Sequence, residues 1–317
     1  MLMALAKPRY SYYCYTMRDF PTAIKKKLPL FAVLLLIVTL TGVFFLRSPV
    51  LVVTDTSFYQ LYGSRRFRLA VMRNSLELFR RVITVNVAET AMPDVITLVV
   101  EEAFPAPWAV LFPQRYIDAA RLFNDRRPEV PVLVMWGRNP LPPALRDTGV
   151  VFVRTDTATD LYRAGLSAAV LSCETLEMLF FTDGSLRDGY REAFEQGLLN
   201  RGFTNTTFFL DASMEHTAYS SIGCVVIAGP ALRFLEWGLD IPVILFSWID
   251  PASTPRSVRM IFDDSPLALA SRALRAFYPA AEEILVPSRP AILSNRIEER
   301  EEIRALRGFV RAEFQKN

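Results

Sequence analysis

The sequence predicts an α/β fold of two lobes, each a parallel sheet flanked by helices, preceded by one transmembrane helix. Three observations predict it. Leu28–Leu46 reads LPLFAVLLLIVTLTGVFFL, an apolar run without a charge. From Val50 onward, short β-branched runs alternate with helical patterns, the mark of βαβ units. The alternation comes in two successive sets with no Pro- or Gly-rich linker between them, which implies two lobes joined by short crossovers around a cleft.

The composition agrees. A chain of 317 residues that is 51% hydrophobic and 22% charged can bury a real core. With 13 Gly, 3 Cys and 21 scattered Pro, it is neither collagen-like nor a disulfide scaffold. The net charge of +3 is uneven: Lys7, Arg9, Arg18, Lys25, Lys26 and Lys27 face only Asp19 in the basic tail 1–27, so everything after Lys27 sums to −2. A nucleic-acid partner is therefore not expected, because such a protein carries its excess cation on the folded domain.

Leu28–Leu46 matches the roughly 20 residues that cross a bilayer as a helix. Lys25, Lys26 and Lys27 flank it on one side and Arg47 alone on the other, which puts the N-terminus inside and residues 48–317 outside the cytoplasmic membrane. The exit GVFFLRSP lacks small residues at a cleavage site, so an uncleaved signal anchor is expected. Met17 opens MRDFPTAIKKK, a more ordinary start for such a segment. Cys173 and Cys224 fall in the exported part, where a disulfide is allowed; free buried thiols are the expected state.

The exported elements follow in order. Val50–Thr54 is a strand ending in the polar, aromatic turn Asp55–Tyr59. A helix over 64–80 carries Leu69, Met72, Leu76 and Phe79 at amphipathic spacing. Val82–Val87 is a strand, 94–104 a helix, Trp108–Phe112 a strand, 114–124 a helix, and Val130–Trp136 and Gly149–Arg154 are strands. The second set has helices at 160–172, 185–200 and 230–238 and strands at 176–181, 206–210, 223–228 and 242–246. Val258–Phe262, a helix over 265–277 and Ile284–Val286 complete the pattern. The expected division gives lobe 1 residues 50–156 and 284–293, and lobe 2 residues 157–283. A last helix, 297–314, shows Ile303, Leu306, Val310 and Phe314 on one face and is expected to pack on its own domain.

Four segments carry a resemblance. VPVLVMWGR (Val130–Arg138), VVFVRTDTATDLYRAG (Val150–Gly165), FFTDGSLRDGYREAFEQGL (Phe180–Leu198) and ILVPSRPAIL (Ile284–Leu293) resemble the type 1 periplasmic binding protein fold of sugar-binding receptors and lac-repressor-like effector domains. The resemblance covers about Val50 to Leu293. It implies a small polar ligand, a sugar or nucleoside, held between lobes that close by a hinge for uptake or sensing. Its partner would be a transporter permease or a membrane sensor. The sequence departs from the pattern at the ligand-reading positions. Arg187 stands two residues before Gly189-Tyr190 rather than three, Ser247 replaces an Asp, the Asp-Arg pair becomes Gly137-Arg138, and a Gln-Asp becomes Asp263-Asp264. These departures favour a second expectation, an envelope protein that keeps the fold for a structural or protein-interaction role without a small-molecule pocket.

Ligands of open α/β sheets sit outside the carboxyl ends of the strands. That rule selects Asp55, Ser57, Phe58, Trp136 and Arg138 from lobe 1. From lobe 2 it selects Asp183, Arg187, Asp211, Ser213, Ser247, Trp248, Asp250 and Asp263. Aromatic faces stack on rings, and Arg and Asp fix hydroxyls or charges. His216 is the one histidine, so Ser-His-Asp, Cys-His and multi-His metal sites are hard to assemble. Neither the G-x-G-x-x-G nor the P-loop pattern occurs. No enzyme activity, metal or cofactor is expected, although a carboxylate-based hydrolase needs only Asp and Glu, which are abundant.

Overall fold

A computed structural model describes residues 22–103, 106–146, 148–171, 175–180, 184–211, 223–228, 241–246, 257–277, 281–293 and 301–314. The chain divides at Arg47 into an N-terminal unit and a unit Ser48–Asn317.

The N-terminal unit contains one helix, α1 (Thr22–Leu46), of 25 residues. Its side chains are described from Phe31 onward, and those of Phe31, Val33, Leu34, Leu36 and Ile37, spread around the helix, are all exposed. Among the described residues no helix is long and apolar enough to cross a membrane. Phe31–Leu46 rises about 24 Å at 1.5 Å per residue, short of a hydrocarbon core of about 30 Å. The rest of the expected span, Leu28–Leu30 with its lysine flank, has side chains outside the described residues. The expected transmembrane helix is thus not supported by the described residues alone.

The second unit builds two six-stranded sheets. The first contains β1 (Val50–Thr54), β2 (Val82–Asn86), β3 (Ala109–Pro113), β4 (Val132–Gly137), β5 (Val151–Thr155) and β11 (Glu283–Val286), in the order β11-β5-β4-β3-β1-β2. The second contains β6 (Thr175–Phe180), β7 (Thr206–Asp211), β8 (Cys224–Ala228), β9 (Val243–Leu245), β10 (Val258–Asp263) and β12 (Arg289–Ile292), in the order β12-β10-β9-β8-β6-β7. Every pairing is parallel except β10 with β12. VLVVT in β1 is buried throughout, as a central parallel strand covered on both faces requires.

The helices are α2 (Thr56–Tyr62), α3 (Ser64–Leu78), α4 (Pro93–Ala103), α5 (Ile117–Arg126), α6 (Thr157–Val170), α7 (Gly184–Leu199), α8 (Pro266–Arg275) and α9 (Glu301–Phe314). Three start on side-chain caps within two residues of a strand's end: Asp55 accepts from Phe58 N (3.0 Å), Asp156 from Thr159 N (3.0 Å) and Ser265 from Ala268 N (3.3 Å). Pro266 then occupies the first turn of α8, where its missing N–H costs nothing. Helices α3 and α8 cover one face of the first sheet, and α4 and α5 the other. Leu306, Phe309, Val310 and Phe314 of α9 join Leu161 and Phe194 in the core of the second lobe. All three cores are built from residues of Ser48–Asn317.

The structure departs from the sequence reading in five places. Asp55–Tyr59 is not only a turn: TSFYQLY forms α2, and Gly63, at φ 78°, turns the chain into α3. Leu69, Met72 and Leu76 of α3 do not pack inward; Phe67, Ala70, Val71 and Asn74 do. ILVPSRPAIL is two strands, because β11 ends before Pro287-Ser288 and β12 joins the second sheet antiparallel to β10, with Met260 opposite Ile292. Helix α8, expected in lobe 2, belongs to the core of the first lobe, where Asn74 donates to Leu267 O and accepts from Ser271 N. Cys224 is disulfide-bonded rather than a free thiol. Cys173 lies outside the described residues, as does the expected helix 230–238.

Helices α6 and α7 touch backbone to backbone through two glycines. A Cβ on Gly165 would fall 2.3 Å from Phe194 O, and one on Gly197 2.1 Å from Tyr162 O, whereas one on Gly189 meets nothing within 4 Å. Gly165→Ala and Gly197→Ala are each expected to destabilise Ser48–Asn317 by about 1–3 kcal/mol or more as the helices are forced apart. Gly189→Ala in α7 should stabilise it by up to about 1 kcal/mol. Urea unfolding of the three variants checks the contrast, and equal effects at Gly165 and Gly189 would contradict the close crossing.

Candidate functional site

The chain passes between the lobes three times: at Asp156 from β5 to α6, at Asp264 from β10 to α8, and at Pro287-Ser288 from β11 to β12. Arg138 binds beside all three. Its Nε donates to Asp264 Oδ2 (2.8 Å), its Nη2 donates to Ser288 Oγ (3.3 Å), and its Nη1 faces Asp160 Oδ2 in α6 at 3.6 Å. Gly137, at φ 83°, gives β4 the left-handed turn that leads into Arg138. The guanidinium also lies over the Phe246 ring of the second lobe, 4.9 Å from its centroid.

The electrostatics of this cluster are unusual. Asp160 is fully buried and accepts from Ser288 N at 2.9 Å. Burial pushes its carboxyl up to about 6, against the Arg138 charge and the Ser288 hydrogen bonds, which pull it down. Burial raises the Asp264 carboxyl too, again opposed by Arg138. One guanidinium serves two buried carboxylates, so full ionisation would leave a negative charge unmatched in a poorly solvated place.

Two further links tie the lobes through α3. Asp263, ending β10, pairs with Arg66 and accepts from Ser265 N at 3.1 Å. Glu77 accepts from Arg289 of β12 at 3.0 and 2.6 Å and from the Ser271 hydroxyl. Burial alone would raise the Glu77 carboxyl, but the Arg289, Ser271 and Arg73 hydrogen bonds hold it well below the usual range.

Beside the hinge, at the carboxyl ends of β1, β3 and β4, lies a cavity of about 260 Å³ whose wall includes Asp55, Ser57, Phe58, Gln114, Arg115, Trp136 and Asp264. Its polar rim is held in place by the protein itself. Asp55 Oδ1 accepts from Phe58 N (3.0 Å) and Ser57 Oγ (2.6 Å), while Oδ2 accepts from Tyr116 OH (2.9 Å) and pairs with Arg115. Arg115 also donates to Ser57 Oγ at 2.8 Å. Phe58 stacks on Tyr62, and Trp136 packs edge-on against Phe152 with Nε1 donating to Pro140 O at 3.3 Å. Both aromatics are therefore core residues that also reach the cavity wall.

The structure thus gathers Asp55, Ser57, Phe58 and Trp136 at one cavity and sends Arg138 and Asp263 to the hinge. Asp55 is a helix cap with its acceptors occupied. Asp183, Ser213, Ser247, Trp248 and Asp250 lie outside the described residues, as do the side chains of Arg187 and Asp211 and the histidine His216. Sequence reasoning missed Gln114 and Arg115, which follow β3 as Asp55 follows β1. Treating Gln114 as the start of a helix hid them. Asp160 and Ser288 had no signal beyond lying near crossovers.

No family model and no curated protein matches the sequence. Solved structures do. An ABC transporter solute-binding protein from Conexibacter woesei is 9% identical and superposes with a TM-score of 0.51 over 85% of this chain and 97% of that one. The chain has the type 1 periplasmic binding protein fold. Further matches include a transcriptional activator of the comK gene from Bacillus halodurans, 10% identical, with a TM-score of 0.49 over 85% of this chain and 99% of that one. A periplasmic solute-binding protein from Actinobacillus succinogenes with bound D-allose is 12% identical, with a TM-score of 0.44 over 78% and 97%. At such identities the likeness is one of fold.

The hinge makes stability depend on pH in a definite direction. Asp160 keeps its proton to higher pH in the folded chain than in the unfolded one, so its contribution is fully present below the unfolded carboxylate range near pH 4 and is lost as pH rises through about 6. Asp160→Asn cannot ionise and keeps the acceptor for Ser288 N. Relative to the native chain it should gain up to about 3 kcal/mol between about pH 4 and about pH 7. Arg138→Met should lose about 3–5 kcal/mol near pH 7, because two buried carboxylates lose their cation, and less near pH 4. Urea unfolding at both pH values tests this; a pH-independent difference for Asp160→Asn would contradict it.

Proposed function

We propose that this protein is a membrane-anchored extracytoplasmic binding protein that holds a small polar ligand between its lobes by hinge closure. The observation that carries this reading is the 260 Å³ cavity at the carboxyl ends of β1, β3 and β4, whose wall includes the crossover residue Asp264. Gln114 is its exposed polar side chain, Ser57 its hydroxyl, and Phe58 and Trp136 its aromatic wall, a set suited to a ring bearing hydroxyls. The lobe 2 residues Asp183, Arg187, Ser247, Trp248 and Asp250 would supply the facing wall. Closure would serve uptake or sensing through a permease or sensor in the membrane.

Anchoring is supported by the uncharged run Leu28–Leu46 within the 25-residue helix α1 and by the lysines before it. A disulfide at Cys224 is in keeping with an oxidising compartment. Binding rather than catalysis suits a wall whose carboxylates, Asp55 and Asp264, are already engaged by arginines. The same saturation favours a second reading, an envelope protein that keeps the fold for a protein partner.

A thermal-shift screen of Ser48–Asn317 against sugars, nucleosides, amino acids and purines separates the two. A ligand at a hundred times its Kd stabilises by about 2.7 kcal/mol. The shift should disappear in Gln114→Ala, which removes an exposed side chain and leaves the core intact. A folded fragment with no shift across the panel favours the protein-partner reading. Resistance of the full chain to carbonate extraction tests the anchor independently.

A further inference from the structure

Helix α3 mixes polar with apolar residues on its inward face and carries a second set of apolar residues outside. Its inward residues include the polar Arg66, Asn74 and Glu77, engaged with Asp263, α8 and Arg289. Leu69, Met72 and Leu76 stand outward, 52, 55 and 68% exposed. At 100° per residue these three fall within about 60° of one another, a single apolar stripe. The other exposed side chains described on α3 are Arg65 on the stripe and Arg68 and Arg73 on its two sides; no exposed carboxylate is among them. Arg275, at the end of α8, donates to Glu77 O and adds a further exposed cation beside the stripe.

From this face we infer that α3 docks the exported unit onto an anionic lipid surface. Three apolar side chains framed by arginines and lacking acid are the chemistry of an interfacial helix, with apolar groups at the acyl boundary and guanidinium groups among the phosphates. The end of the sheet where the chain enters it has matching chemistry. Arg80 donates to Ser48 O at 3.1 Å, and its guanidinium lies over Trp108, 4.4 Å from the ring centroid. An Arg and a Trp are thus paired where the chain enters the unit, and both types belong to membrane interfaces. Ser48 follows α1 by a single residue, so a surface reached by α1 is within a few residues' span of this end of the unit. The inference rests on the anchored reading above, although its chemistry is carried by α3 alone.

The test uses Ser48–Asn317, which holds its own cores, in flotation with vesicles of phosphatidylcholine alone or mixed with phosphatidylglycerol. The fragment should float with the anionic vesicles and not with the neutral ones. Replacing Leu69, Met72 and Leu76 together by Ser should lower binding about tenfold or more while the circular dichroism spectrum is unchanged, because all three are exposed. Arg65→Gln with Arg68→Gln, or added salt, should weaken it comparably. Failure to float with anionic vesicles, or floating that both variants leave intact, overturns the inference. So does a self-association, seen by sedimentation without lipid, that the Ser variant abolishes, since that assigns the stripe to a second copy. If the full chain is extracted by carbonate while the fragment still floats, the anchor fails and the docking face stands; the reverse pair of results leaves the anchor and removes the docking face.

Discussion

Everything near the cleft depends on keeping one guanidinium in a place where three chain passages meet. Arg138 reaches Asp160 beyond the first passage, Asp264 at the second and Ser288 at the third. Removing such a charge from water is costly, and its attraction to buried carboxylates offsets that cost only with good geometry. The cluster is therefore better understood as a specification than as a source of stability. It fixes which crossover lies beside which, and so where the mouth of the cavity lies relative to the second lobe. Asp264 makes this concrete, since the same carboxylate accepts from Arg138 and forms part of the cavity wall.

The strand ends explain both the success and the failure of the sequence reading. A polar residue after a parallel strand can face a ligand or cap the helix that follows, and the two roles need the same residue types. Asp55, Asp156 and Ser265 all act as caps. The β-branched runs made the strands and their order in the chain legible, because a strand buried on both faces must be apolar along its whole length. Three things were not legible. Helix α2 is only seven residues long and has too few turns to show a period. The split of Ile284–Leu293 depends on tertiary pairing, since Pro290 can enter β12 only because that strand lies at a sheet edge. The lobe of α8 depends on hydrogen bonds to Asn74, a residue that carries no hydrophobic signal.

The saturation of the cavity's polar rim bears on what it can recognise. Asp55 spends its acceptors on Phe58 N, Ser57, Tyr116 and Arg115, which makes the loop after β1 rigid but leaves that carboxylate no free face. In the binding role proposed above, recognition from the first lobe would fall to Gln114, which can both donate and accept, and to the flat walls of Phe58 and Trp136. Under that proposal the wall would suit neutral polar molecules better than charged ones, because a charge would meet no unmatched counter-charge among its described groups.

Helix α3 joins these observations. Arg66 and Glu77 bind two neighbouring residues of the second lobe, Asp263 at the close of β10 and its ladder partner Arg289 at the start of β12, and the two lie on one side of the helix eleven residues apart. An ordinary amphipathic helix would turn Leu69, Met72 and Leu76 inward and place its charges in solvent. Here the inter-lobe ion pairs share the inward face with Phe67, Ala70 and Val71, and Leu69, Met72 and Leu76 stand outside. The polar contacts that hold the lobes together occupy part of the inward face, and the exposed apolar stripe lies on the side of the helix they leave free. Any surface that covers that stripe presses on the same helix that holds both ion pairs, so contact outside and lobe geometry inside share one rigid element.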